Sequence, residues 1–247
     1  MIKRNLLIAI LILCSIGIIK GQTVSDSLVI MSARWKVESP QKGIIHKYAS
    51  IPRLYQGTQS VSLIEIEPGA GLKVDIAVSD EMKETSRIAS EHRGIAAING
   101  SYFDMKRGNS VCFLKVGNQV VDTTTLSECK LRVTGAMHVH KGKIKLIPWS
   151  RQIEKEYKGE TGIVLASGPL MLKDGQICDW NSCGTNFIRT KHPRSAVATT
   201  KEGKILLITV DGRFPEQAEG VNIPELAHLI RILGGEDALN LDGGGST

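Results

Sequence analysis

Four short segments of this 247-residue chain combine residue types able to handle a charged, hydroxyl-rich ligand. They are Ala96-Ala97-Ile98-Asn99-Gly100-Ser101-Tyr102-Phe103-Asp104, Ser167-Gly168-Pro169, His192-Pro193-Arg194-Ser195-Ala196 with Val210-Asp211-Gly212-Arg213, and Asn240-Leu241-Asp242-Gly243-Gly244-Gly245-Ser246-Thr247. Taken singly, each has a plain structural explanation. Asn-Gly and Asp-Gly are common turn dipeptides, and a lone arginine more often makes a surface ion pair than a ligand clamp. Three glycines in a row after Asp242 are harder to explain as a turn, since they lose more backbone entropy than a turn requires. Bare of side chains, the N–H groups of Gly243, Gly244 and Gly245 can approach an anion. Asp211 and Asp242 supply carboxylates for acid, base or nucleophilic work. Arg194 and Arg213 supply positive charge, and Asn99, Asp104, Ser195 and Ser246 supply groups that orient a ligand.

Several familiar chemistries are excluded. The glycines are not followed by Gly-Lys-Ser/Thr and have the wrong spacing for a dinucleotide loop. No G-x-S-x-G elbow and no H-E-x-x-H pair occurs. Six scattered histidines give no metal site, and His138 and His140 fall in a hairpin. No cofactor is expected, although a structural Ca2+ held by acidic side chains and backbone carbonyls stays open. Lys and Arg form no run of five, aromatic residues make up only 4%, and the expected partner is not nucleic acid.

For the four segments to meet, the elements between them must bring their ends together. Leu72, Val74, Ile76 and Val78 alternate with polar residues, as in a strand with one face buried. Ser79 or Asp80 could then cap a helix with Met82, Thr85, Ile88, Ala89 and His92 on one stripe, and Ile95 to Ile98 reads as an apolar strand ending at Asn99. A second such passage runs from the strand Ile205 to Val210, through a helix opened by Asn222 and Glu225 at capping-box spacing, to the strand Ala238 to Leu241. Right-handed crossovers between parallel strands would put Asp211 and Asp242 at one carboxyl edge of a sheet. Between the two passages, Leu131 to Ile147, Leu170 to Gly175 and Ser195 to Gly203 read as hairpins. The fold class is α/β or α+β, a mixed, strand-rich sheet with a few flanking helices. Residues 1–21 form a leader, 22–60 an N-terminal extension and 61–247 the main domain.

The leader has two cations, then an almost wholly apolar run of fourteen residues from Leu6 to Ile19, then polar Lys20-Gly21-Gln22. That run is shorter than the ~20 residues of a spanning helix, so a cleaved signal is expected after Gly21, with no membrane span afterwards; an uncleaved anchor is the alternative. Loss of Lys3, Arg4 and Lys20 lowers the net charge from +6 to +3, too slight to define a partner. An exported, periplasmic or cell-surface chain meets oxidising conditions, and Cys112, Cys129, Cys178 and Cys183 could form one or two disulfides.

In order and character the four segments, with Asp237-Ala238-Leu239 leading into the last, resemble the phosphodiester glycosidase domain family, over residues from about 60 to the end. The resemblance implies a mixed α/β domain that cleaves between an anomeric carbon and phosphate in a phosphorylated glycan or sugar-1-phosphodiester. It implies Asp211, Asp242, Asn99 and Arg194 as catalytic. Arg213, Gly243, Gly244, Gly245, Ser246, Ser195 and Asp104 are then expected to bind substrate or its phosphate. Ser101 stands where the family often has glycine. The family domain usually continues past the triple glycine, so the resemblance also implies a domain cut short at Thr247. A non-catalytic protein that binds anionic polysaccharide during assembly or export is the alternative function.

Overall fold

The computed structural model describes residues 25–79, 81–157, 159 and 161–247, so the expected leader and the cap at Asp80 lie outside the described residues. After a first helix, α1 (25–31), come β1 (Lys36–Gln41), β2 (Ile44–Leu54), β3 (Gly57–Ile66) and α2 (Thr85–Glu91). The middle carries β4 (Leu114–Val116), β5 (Gln119–Asp122), α3 (Leu126–Leu131), β6 (Gly135–His140), β7 (Lys143–Pro148), α4 (Arg151–Glu156) and β8 (Ile163–Ser167). The last part carries β9 (Leu170–Lys173), β10 (Gln176–Ile177), α5 (Thr185–Arg189), β11 (Arg194–Thr200), β12 (Ile205–Val210), α6 (Ile223–Ile232) and β13 (Gly235–Asn240).

These strands form an eight-stranded sheet, ordered β1-β2-β3-β12-β11-β13-β9-β10, and a five-stranded sheet, ordered β5-β4-β8-β6-β7. The strand-rich mixed architecture matches the expectation. The hairpins follow local turn chemistry: Lys141-Gly142 and Asp174-Gly175 both take left-handed backbone, the geometry whose twist suits a two-residue turn. α6 opens with the expected capping box, in which Asn222 accepts from Glu225 N–H and Glu225 accepts from Asn222 N–H. It buries Leu226, Leu229 and Ile230 in a core shared with Met171, Leu172, Ala196 and Ile208.

Several expectations are corrected. The residues from Leu72 to Ile76 do alternate in burial, with Val78 exposed, but they form no strand, and neither do Ile95 to Ile98. The edge of β12 that such a strand would need is taken by β3, with Val61 opposite Val210 and Ile66 opposite Ile205. Residues 36–66 thus contribute three strands to the larger sheet. Val74 and Ile98 instead pack singly on a core with Leu146, Val197 and Leu239. Nor does the helix start at Ser79: Glu84 is the residue before α2.

The described strand pairs are antiparallel, not parallel. β11 pairs with β12 on one side and β13 on the other, so those two run the same way with a strand between them. Asp211 and Asp242 therefore do leave the sheet at one edge, where β11 begins with Arg194. The expected disulfides are not formed: all four described cysteines are free. Cys183 belongs to the core beneath α6 and Cys178 packs on the core that holds Val197, so their close spacing in sequence does not make them neighbours.

Candidate functional site

Strand geometry decides which of the expected groups face one another. Side chains alternate across a sheet, so neighbours on β11 point to opposite faces. Ser195 is fully buried, and its Oγ donates to Asn99 Oδ1 at 2.6 Å. Arg194 must then point to the other face, where it is 2% exposed. Its Nε donates to Val221 O at 3.2 Å, and its Nη2 donates to Phe187 O and Thr190 O at 2.9 and 3.0 Å. The guanidinium also stacks on the Phe187 ring at 4.7 Å. Burial pushes its pKa down to about 10, still far enough above neutral for it to stay charged. Arg194 is thus an interior cation that joins β11 to α5 and to Val221, and it does not line the cleft.

The cleft lies on the Ser195 face, with a volume of about 870 Å³. Asp242, Gly245, Ser246 and Thr209 form one side, and Asn99, Ser101, Phe103 and the α2 region form the other. Asn99 ties the two sides together: its Nδ2 donates to Asp242 O at 2.8 Å, while Asp242 N–H donates to Gly100 O at 2.9 Å. The Asp242 carboxylate accepts from Gly243 N–H at 2.9 Å and from the Ser246 side chain. Its pKa is raised, chiefly by burial; those hydrogen bonds and the charge of Arg132 oppose the rise, and Glu128 adds to it. A carboxylate so placed can accept a proton or attack an electrophilic carbon.

Asp211 stands two residues beyond Thr209, so alternation places it on the cleft face at the rim. It is exposed and accepts from Ser60 Oγ at 2.5 Å. With β11 between them, the Asp211 and Asp242 backbones are separated by two strand spacings, roughly 10 Å. Arg213 is exposed, with φ of 67°. Its guanidinium lies against the glycine turn: a methyl group added at Gly244 would stand 3.0 Å from Nη2. His192 lies within reach of Arg194 and Arg213, and burial together with their charges lowers its pKa.

Two of the three glycine N–H groups expected to meet an anion already have protein acceptors. Gly243 donates to Asp242 Oδ1, and Gly244 donates to Pro193 O at 2.9 Å. Gly245 is exposed on the cleft. Asp104 is away from the cleft lining. Its Oδ1 accepts from Lys106 and Arg107 N–H, which hold its pKa below the usual carboxylate value. Among the described residues no group of three His, Cys, Asp or Glu could hold a metal ion.

Several participants were not foreseen. Tyr102 is 3% exposed, and its Oη stands 2.6 Å from Gly168 O and 3.3 Å from Leu241 O. Asn240 is fully buried; its Nδ2 lies 2.8 Å from Tyr102 Oη and 2.7 Å from Leu241 O, and its Oδ1 has no partner. Gly168 permits this packing, since a Cβ there would fall 2.3 Å from Arg132 O. An Asn within the apolar strand Ala238-Leu239-Asn240-Leu241 was the signal that could have marked this network, because a buried polar residue needs partners.

A cleft with a half-buried carboxylate, an amide, hydroxyls and a nearby guanidinium has groups able to accept a proton and to hold a polar, anion-bearing molecule. The phosphodiester glycosidase family profile matches residues 92–247, and the chain belongs to that family. No curated protein matches it. Several solved structures share its fold, among them these three. An uncharacterised protein from Synechocystis superposes with a TM-score of 0.60 at 15% identity, over 86% of this chain and 58% of that one. The catalytic domain of zebrafish N-acetylglucosamine-1-phosphodiester α-N-acetylglucosaminidase, auto-inhibited by its pro-peptide, gives 0.59 at 18%, over 86% and 76%. A Burkholderia pseudomallei protein described as a candidate exported protein gives 0.51 at 13%, over 77% and 69%. The chain thus spans little more than half the length of the Synechocystis protein.

Proposed function

We propose that the chain hydrolyses the bond between a sugar anomeric carbon and phosphate in a sugar-1-phosphodiester, outside the cytoplasm. The observation that carries this reading is the convergence of Asp242, Asn99 and Ser246 on one cleft whose glycine turn is touched by Arg213. A phosphomonoester leaves far more readily than a sugar alkoxide, its second pKa being about 6. The leaving group therefore needs cationic stabilisation more than protonation. Arg213 supplies that charge at the turn, and Gly245 and Ser246 supply the neighbouring polar atoms.

Asp242 acts at the anomeric carbon as nucleophile or base, and Asp211 at the rim holds sugar hydroxyls or activates water. Asn99 keeps Asp242 in place through its carbonyl, and Ser195 fixes Asn99 in turn. Arg194 acts from behind by anchoring the start of β11. The leader-like residues 1–21 support export, and among the described residues no helix is long and apolar enough to cross a membrane.

The test is release of reducing sugar from an N-acetylglucosamine-1-phosphodiester by the purified protein, compared with the Asp242→Asn variant. Release by the parent and not by the variant supports the reading. Tight binding of an anionic polysaccharide with no release from any sugar-1-phosphodiester would replace it with the binding function.

A further inference from the structure

Next to the cleft lies a stack of side chains that the proposed reaction does not otherwise use. Glu128 on α3 accepts from Arg132 Nε at 2.6 Å and Nη2 at 3.0 Å. A two-point grip of this kind fixes the plane of a guanidinium as well as its position. Held that way, Arg132 lies over the Tyr102 ring with Cζ 3.4 Å from the centroid, and 5.1 Å from that of Phe187. Tyr102 Oη and Asn240 Nδ2 both lie within hydrogen-bond distance of Leu241 O. Leu241 O belongs to the peptide unit that leads into Asp242. The stack therefore ends on the backbone of the carboxylate that faces the cleft.

The groups around Asp242 differ in sign. From the α3 side come the charges of Glu128 and Arg132; the glycine turn contributes the Ser246 hydroxyl and Gly243 N–H. From β11, the charge of Arg194 acts on Tyr102, and from beyond β12 the Arg213 guanidinium lies against the turn at Gly244. We infer that Arg132, gripped by Glu128 and laid on Tyr102, is a positioning residue for Asp242, holding the Leu241–Asp242 peptide and setting a positive charge behind the carboxylate. The inference rests on the proposed reaction only for its kinetic readout.

A cation stacked on an aromatic ring could equally serve packing alone, so the test needs a signal that packing would not move. The carboxyl carbon of Asp242 is followed by 13C NMR across pH in the full chain, assigned by its loss in Asp242→Asn. Arg132→Met moves the midpoint up and Glu128→Gln moves it down, each by roughly one pH unit, with folding checked by thermal unfolding. Arg132→Lys keeps the charge without the fork and stays near the parent; where Arg132→Met does not fold, Glu128→Gln decides. An unchanged midpoint in Glu128→Gln, or in a folded Arg132→Met, overturns the inference. With a sugar-1-phosphodiester, Arg132→Met lowers kcat about tenfold while KM changes less than about twofold, the pattern of an interaction made in the transition state; an unaltered kcat overturns it too. A parent protein that releases no sugar removes the hydrolase reading and leaves the NMR result to decide this one.

Discussion

The cleft has two unlike walls. On the sheet side, the N–H, carbonyl and carboxylate of Asp242 all have partners, and Ser195 and Asn240 behind it are fully buried. On the other side, α2 buries none of its residues, and Met82 and Ile95 are 55% and 54% exposed. Asn99 and Gly100 hold this wall to Asp242. Buried, fully bonded groups open only with the whole domain, whereas a segment with few buried contacts opens locally. The proposed chemistry therefore sits on the tightly bonded wall, and access is left to the looser one.

The largest effect expected on this contrast is at Asp242. Asp242→Asn should lower turnover on the order of a thousandfold while the fold gains stability at pH 7. The sign follows from burial, which raises the carboxyl pKa in the folded state. The stabilising protonated form is present below the unfolded pKa and is lost as pH rises through the folded one, so at neutral pH the native carboxylate is a burden that the amide lacks. Thermal melts at pH 7 and pH 3.5 should show the variant ahead only at pH 7. For the same reason the acid limb of the parent's pH–rate profile should lie above the ordinary carboxylate range.

Gly168→Ala comes next. It places a Cβ 2.3 Å from Arg132 O at a φ of 156° and should cost about 3 kcal/mol, measured by urea unfolding. Asn99→Ala cuts the tie between the walls. Hydrogen exchange should quicken in residues 84–100 while β11 and β13 stay protected, with about 1 kcal/mol lost overall. If β11 and β13 quicken equally, the walls are one unit and the contrast fails. Met82→Ser should be smallest, within about 0.5 kcal/mol, and a larger loss would show that the loose wall is packed after all.

Much of the sheet wall was legible in the sequence. Asn222 and Glu225 marked the start of α6, and the strands ending at Asp211 and Asp242 were visible as apolar runs between turn signals. The common edge of those two strands also followed, although β11 rather than direct pairing brings it about. The rest depended on what alternation alone does not show. Leu72 to Val78 has the period of a strand, but periodicity does not reveal that β3 already occupies the place beside β12. Arg194 sat in the right motif yet on the wrong face, a distinction that Ser195 settles only once Asn99 is seen beside it. Thr125-Leu126-Ser127-Glu128 has the spacing of a helix start, and Thr125 does cap α3. Recognising it would have put Glu128 and Arg132 one helical turn apart, as the ion pair they form.

β3 lies between β2 and β12, so its second neighbour is made only after nearly all of the intervening chain has been synthesised. Joining such distant segments is entropically slow, and collapse onto the central sheet must wait for it. A nascent polypeptide with this wiring stays threadable for most of its synthesis, which suits the proposed export through a channel that admits only unfolded cargo.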